Sequence, residues 1–192
     1  MQHRFQGRGT DSHLNANGKQ QAQKLALALR NIPLKAVYTS TLVRTKETAA
    51  YVMEYHPQAN AREVRGLEEM DYGDYEGDRL ADRSDVVKDI IADKWSSGCV
   101  DAGWPSGESP QDVVDRGTTA ILSLLTQEDH DHVALVCHGR FNKIVLSSLL
   151  YSSLIDMNNM VQDNTCVNVL DFDRKTQVFT VVELNNTDHL SN

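Results

Sequence analysis

Val136-Cys137-His138-Gly139 closes a short apolar run, 133–137, and opens a strongly apolar helix predicted over 141–154. A buried strand that feeds straight into a helix is the unit from which parallel α/β sheets are built. The same switch occurs earlier. Residues 34–38 include Ala36, Val37 and Tyr38, a run typical of a buried strand. Thr39, Ser40 and Thr41 are good N-caps for a helix over 42–54. In open α/β sheets, ligands bind beyond the carboxyl ends of the strands, and here both of those ends carry reactive groups.

Working outward, Asn15 and Asn17-Gly18 mark a turn before a helix over 19–30, whose Ala22, Leu25, Ala26, Leu27 and Leu29 are apolar. Pro33 stops it. A short strand is expected over 61–64, an acidic, Gly-bearing loop over 66–77, and a helix with polar faces over 80–95. A second loop, 97–110, precedes a helix over 111–125. Residues 166–172 and 177–184 alternate around Asp173-Arg174-Lys175-Thr176 and read as a hairpin. The expectation is one domain over 1–192: a three-layer α/β/α sandwich with a mainly parallel mixed sheet, to which the hairpin adds an antiparallel strand.

Composition narrows the function. The chain has 192 residues, 40% hydrophobic and 24% charged, with a net charge of −8. That charge argues against nucleic acid and against anionic lipid as partners. A small phosphorylated substrate fits, because local cations can outweigh the overall field. No apolar stretch could span a bilayer and the first residues have no apolar core, so neither a membrane segment nor a signal peptide is read. Cys99, Cys137 and Cys166 form neither a disulfide framework nor a zinc pattern, which places reduced thiols in the cytoplasm. No metal or other cofactor is expected; His130-Asp131-His132 reads as a polar loop before a strand.

His138 and Arg44 follow the two strand-to-helix switches, and Glu69 lies in the acidic loop between them. A helix N-terminus suits an anion, Gly139 permits close backbone approach, and Arg44 can fork two phosphate oxygens. Singly, each residue would be ordinary: a solvated arginine, a capping histidine, a solvated glutamate. In this order and at these boundaries they describe a phosphate-handling pocket.

With those residues in place the chain resembles the histidine phosphatase superfamily, the phosphoglycerate-mutase-like fold. The resemblance rests on Arg4-Phe5-Gln6-Gly7, Asp11-Ser12-His13-Leu14, Gly18 and Gln21-Ala22; on 38–45 with Thr48-Ala49; on 67–77; on 105–109 with Arg116; on 136–139; and on Leu184-Asn185 through His189-Leu190. It implies that Arg44 binds the transferred phosphoryl group, His138 stabilises its charge, and Glu69 protonates the leaving oxygen, with Glu68 the adjacent alternative. It implies further that Gln6 and Gly7 line the phosphate site, that Tyr72 contacts substrate, and that Asn164 and Thr165 lie in a loop near the pocket. Phosphoryl transfer is mainly positioning and charge stabilisation, and a phosphohistidine splits it into two easier steps.

Two departures stand out. The family's first strand ends in an Arg-His-Gly whose histidine is the nucleophile. Here only five residues precede Gln6, and the one His-Gly is His138-Gly139. His3 is followed by Arg4, the wrong order, and lies three residues from Gln6, a reach of at most ~11 Å. The expectation is a phosphomonoesterase in its complete form, impaired in this chain because first strand and nucleophile are missing. The competing readings are a non-catalytic phospholigand-binding or protein-interaction module, and a strand supplied by a partner chain. An unpaired central strand edge would invite homo-oligomers. The second departure is Arg140, where the family more often has a small or apolar residue. It either adds a cation at the pocket mouth or points to solvent.

Overall fold

The structure, a computed structural model, describes residues 4–128 and 130–191, apart from the side chains at 88, 91 and 92. Three parallel strands form the central sheet: β1 (Ala36–Thr39), β2 (Asn60–Glu63) and β3 (Val133–Val136), in the order β2-β1-β3. The register sets Ala36 against both Asn60 and Val133. All four residues of β1 are buried, so the strand reads as a continuous apolar run rather than an alternation.

The side-chain alternation of β1 divides the core into two layers. Val37 packs with Leu25, Ala26, Ala49 and Val52 of helices α1 (Ala16–Leu29) and α2 (Val43–Tyr55). Ala36 and Tyr38 face the other way, into a core shared with the later helices. After the short helix α3 (Ser84–Val87) these are α4 (Pro110–Gln127) and α5 (Gly139–Tyr151), which supply Val113, Ile121, Leu124, Phe141, Ile144 and Val145. This is the expected three-layer arrangement. α4 and α5 cross closely at Gly117, where an added Cβ would lie 2.8 Å from both Phe141 and Val145.

Several boundaries differ from the sequence reading. Asn15 caps α1 directly, its side chain accepting from the Gly18 amide at 2.8 Å, so the expected turn at 15–18 is the helix's first turn. The expected helix over 80–95 is instead a broken series: 3-10 turns at Leu80–Arg83 and Trp95–Ser97 flank α3 and a π-helical stretch, Lys88–Lys94. Changing the turn width re-aims successive side chains, and here Trp95 ends fully buried with its indole N–H on the Ala102 carbonyl at 2.6 Å. Pro110 opens α4 behind a capping box made by Ser109 and Asp112.

The hairpin, β4 (Val167–Asp173) and β5 (Val178–Asn186), does not add to the parallel sheet as expected. Among the described residues it forms a two-stranded antiparallel sheet of its own, and β3 pairs on one side only. Val178 and Val182 of β5 are more than half exposed. No described helix is long and apolar enough to cross a membrane.

Candidate active site

The carboxyl ends of β1 and β3 bring Ser40, Arg44 and His138 together. Arg44 Nε donates to His138 Nδ1 at 3.2 Å. A guanidinium can only donate, so Nδ1 carries the lone pair and the ring proton sits on Nε2. That N–H then donates to Ser40 Oγ at 2.8 Å. Ser40 Oγ also accepts from the Leu42 amide at 3.2 Å, which turns its own proton toward Thr45 Oγ1 at 2.9 Å. Burial, and then the positive charges of Arg44 and Arg116, push the His138 pKa down to about 3. His138 is therefore a neutral imidazole with a defined tautomer. Ser40, wholly buried, orients it from below.

Arg44 is half-buried, and burial lowers its pKa against the opposing pull of Glu69, Asp11 and Glu76. Its remaining donors reach carbonyl oxygens: Nη1 to Thr10 at 2.8 Å, and Nη2 to Gln6 at 3.3 Å and Gly7 at 3.2 Å. Gln6 and Gly7 thus adjoin Arg44 through their carbonyls. The segment that carries them is held by Glu76, which accepts from the amides of Gly7 and Gly9 and from the Thr10 hydroxyl at 3.1, 3.2 and 2.6 Å. Phe5 anchors the same segment in an aromatic cluster, with ring centroids 5.1 Å from Tyr72 and 5.3 Å from Trp104.

Glu69 is buried beside this group. Its Oε1 accepts from the amides of Met70 and Phe141 at 2.9 and 2.7 Å, and its Oε2 from the amide of Arg140 at 3.0 Å. The N-terminus of α5, expected to be open to a ligand anion, is thus engaged by this carboxylate. The N-terminus of α2 is engaged likewise, with Asp11 accepting from the Val43 amide at 2.7 Å. Burial raises the Glu69 pKa in spite of the three amides, a shift that suits a proton donor. Tyr72 is pushed up too, by burial and then by the Glu69 charge.

Arg116 positions the Glu69 loop. Its guanidinium reaches the carbonyls of Gly66, Glu68 and Glu69 and makes a two-point contact with Glu108 at 2.8 and 2.9 Å. Glu108 also accepts from Arg8 at 2.7 Å. Burial works to raise the Glu108 pKa, but the Arg116 bond, the Asp71 amide and the Arg116 and Arg8 charges together outweigh it and hold the group below its usual value. Gly73 sits at φ +55° with its would-be Cβ 2.0 Å from the Pro105 carbonyl, locking the loops 66–77 and 97–110 together.

The structure therefore gathers Arg44, His138, Glu69, Gln6, Gly7 and Tyr72 at one end of the sheet. Gly139 opens α5, and a Cβ there would meet no protein atom within 4 Å. Asn164 and Thr165 are not hydrogen-bonded to the group; Thr165, at φ 57°, faces His189 at 3.5 Å. His3 lies outside the described residues. Glu68 turns away, accepting from Thr41 and the Gly66 amide. Arg140 does not point to solvent: it is half-buried, bonded to Asn158 Oδ1 at 2.6 Å, with its guanidinium over Trp95. Cys137 is an inert thiol, raised by burial to about 12.

Glu76, Asp11 and Ser40 escaped the sequence reading of the site. Glu76 looked like one acid of an acidic loop and Ser40 like a cap, and only their distant partners give them these roles.

Comparison with known proteins places the chain. The model of the histidine phosphatase superfamily, branch 1, matches residues 1–187, and the chain belongs to that family. It is 29% identical over 187 residues to the broad-specificity phosphatase YOR283W of Saccharomyces cerevisiae, a match covering 94% of this chain and 77% of that protein. It is 27% identical over 179 residues to an acid phosphatase of Mycobacterium tuberculosis, covering 92% and 82%. Among solved structures it superposes on Bacillus stearothermophilus YhfR with a TM-score of 0.84 and 26% identity, covering 97% of this chain and 91% of that one.

Proposed function

We propose that this pocket handles the phosphoryl group of a small phosphomonoester, as a phosphatase rather than a mutase. The observation that carries the reading is Arg44: a half-buried guanidinium with no carboxylate within 4.0 Å among the described residues, fixed against a neutral histidine. Such a cation, held by carbonyls at a sheet's carboxyl end, attracts a dianionic oxygen group by its charge. His138 steadies the transferred charge, and Glu69, its pKa raised by burial, supplies the proton to the leaving oxygen. The phosphatase names of the yeast and mycobacterial relatives support this chemistry.

Hydrolysis through a phosphohistidine needs a second histidine as nucleophile. Among the described residues no other histidine is bonded to Arg44, Glu69 or His138. These residues alone are therefore expected to bind phosphate and turn it over poorly, which equally favours a phospholigand-binding role for the chain as it stands. The test is p-nitrophenyl phosphate hydrolysis by this chain, beside a version extended upstream with a strand ending Arg-His-Gly. Turnover is expected only in the extended form, and lost with His138→Ala. Robust turnover by the short form that survives His138→Ala would sink the phosphohistidine reading. Phosphate binding lost in Arg44→Gln, without turnover in either form, would favour the binding module.

A further inference from the structure

Arg140 is misplaced by ordinary helix rules. It lies in the first turn of α5, where the helix dipole favours acids and opposes a cation. Lys143 follows one turn later on the same side, a like charge at a spacing that repels. Neither side chain has a carboxylate within 4.0 Å among the described residues. Glu69 acts on Arg140, and Asp163 on Lys143, only at longer range. Burial and the Arg140 charge both press the Lys143 pKa down. A half-buried pair of cations in an acidic protein is costly unless it serves an anion.

The immediate surroundings hold Arg140 in place without neutralising it. Asn158 Oδ1 accepts from its Nη1 at 2.6 Å, and the fully buried Trp95 ring lies under the guanidinium at 5.7 Å. The Arg140 bond fixes the Asn158 amide orientation, because a guanidinium only donates. That orientation leaves Asn158 Nδ2 buried with no hydrogen-bond partner. An orphan donor beside an uncompensated guanidinium is a pair short of one acceptor. The pair borders the phosphate pocket. The Arg140 charge acts on Tyr72, Tyr72 packs against Gly7, and the Gly7 carbonyl accepts from Arg44. The Arg140 amide itself holds Glu69.

Resting on the reading of Arg44 as the phosphoryl site, we infer that Arg140, with Lys143 and Asn158, forms a second-anion subsite that selects phosphomonoesters carrying another acidic group. The selected substrates bear a carboxylate or second phosphate a few bonds from the ester. Arg140 acts as a specificity residue, separate from the chemistry at His138 and Glu69.

Calorimetric titration of the purified chain tests this without requiring turnover. The probes are methyl phosphate, phosphoglycolate and ethylene glycol bisphosphate, at fixed ionic strength. The wild type is expected to bind one or both of the doubly acidic esters at least tenfold more tightly than methyl phosphate, and their relative affinities identify the second group. Arg140→Gln is expected to bring that ratio to about one, and Arg140→Lys to retain part of it. Equal affinities in the wild type, or a ratio unchanged by Arg140→Gln in a variant with wild-type circular dichroism, would overturn the subsite while leaving the phosphate site standing. Failure of the wild type to bind any of the three esters would overturn both.

Discussion

At the residue scale the site turns on one proton. Because Arg44 occupies Nδ1, His138 carries its hydrogen on Nε2, and because the ring is buried beside two guanidinium groups it stays neutral. Nitrogen-15 spectra of the imidazole are expected to show the Nε2–H tautomer, with no titration between pH 5 and 8. A midpoint near the ordinary 6.5 would contradict the arrangement. Arg44→Gln is expected to weaken inorganic phosphate binding at least tenfold by calorimetry, since it removes the half-buried positive charge. His138, Arg44 and Glu69 were legible in the sequence as residue types at strand-to-helix boundaries and from the family resemblance. Their protonation states were not. A pKa depends on which charges and apolar atoms surround the group, and those come from segments as far apart as Arg44 and Arg116.

At the scale of elements, the pocket depends on how loops are pinned to the sheet. Glu76, together with the Arg8 contacts to Glu108 and the Met70 carbonyl, fastens the segment from Gln6 to Thr10 on which three Arg44 hydrogen bonds rest. Glu76→Ala is expected to make that segment susceptible to cleavage after Arg8 under limited trypsin digestion, and to weaken phosphate binding along with it. Protection equal to wild type would mean that Phe5 packing and the Arg8 contacts hold the segment without Glu76. Gly117 gives a prediction of opposite sign from helix propensity. Glycine to alanine in mid-helix normally adds about 1 kcal/mol of stability. Here the new methyl would press on Phe141 and Val145, both buried and unable to yield, so Gly117→Ala is expected to lower the melting temperature. The periodicity placed α4 and α5 to within a few residues. It could not show that they touch at Gly117, nor that the helical pattern over 80–95 breaks into 3-10 and π turns to seat Trp95, because both follow from packing partners remote in sequence.

At the scale of the molecule, buried titratable groups shape stability against pH. For His138 the folded pKa of about 3 lies below the ordinary 6.5, so between those values the unfolded chain binds a proton that the folded chain refuses. Stability must therefore fall as pH drops from 6.5 toward 3, by about 1.4 kcal/mol per unit from this group. Glu108, held low, adds to the loss below its ordinary 4.5, while Glu69, raised by burial, acts in the opposite direction as pH climbs. Urea midpoints from pH 4 to 7 are expected to rise with pH, and His138→Gln to flatten that slope; an unchanged slope would mean the ring titrates normally. The sequence by itself determined the α/β class, the strand-to-helix switches and the family, because local periodicity and residue type are written along the chain. Only the tertiary structure decided that both helix N-termini are capped by Asp11 and Glu69, that the hairpin stands apart from the parallel sheet, and that Arg140 turns inward. Each of those outcomes is a contact between segments tens of residues apart, where burial and charge compensation, not local preference, choose the partner.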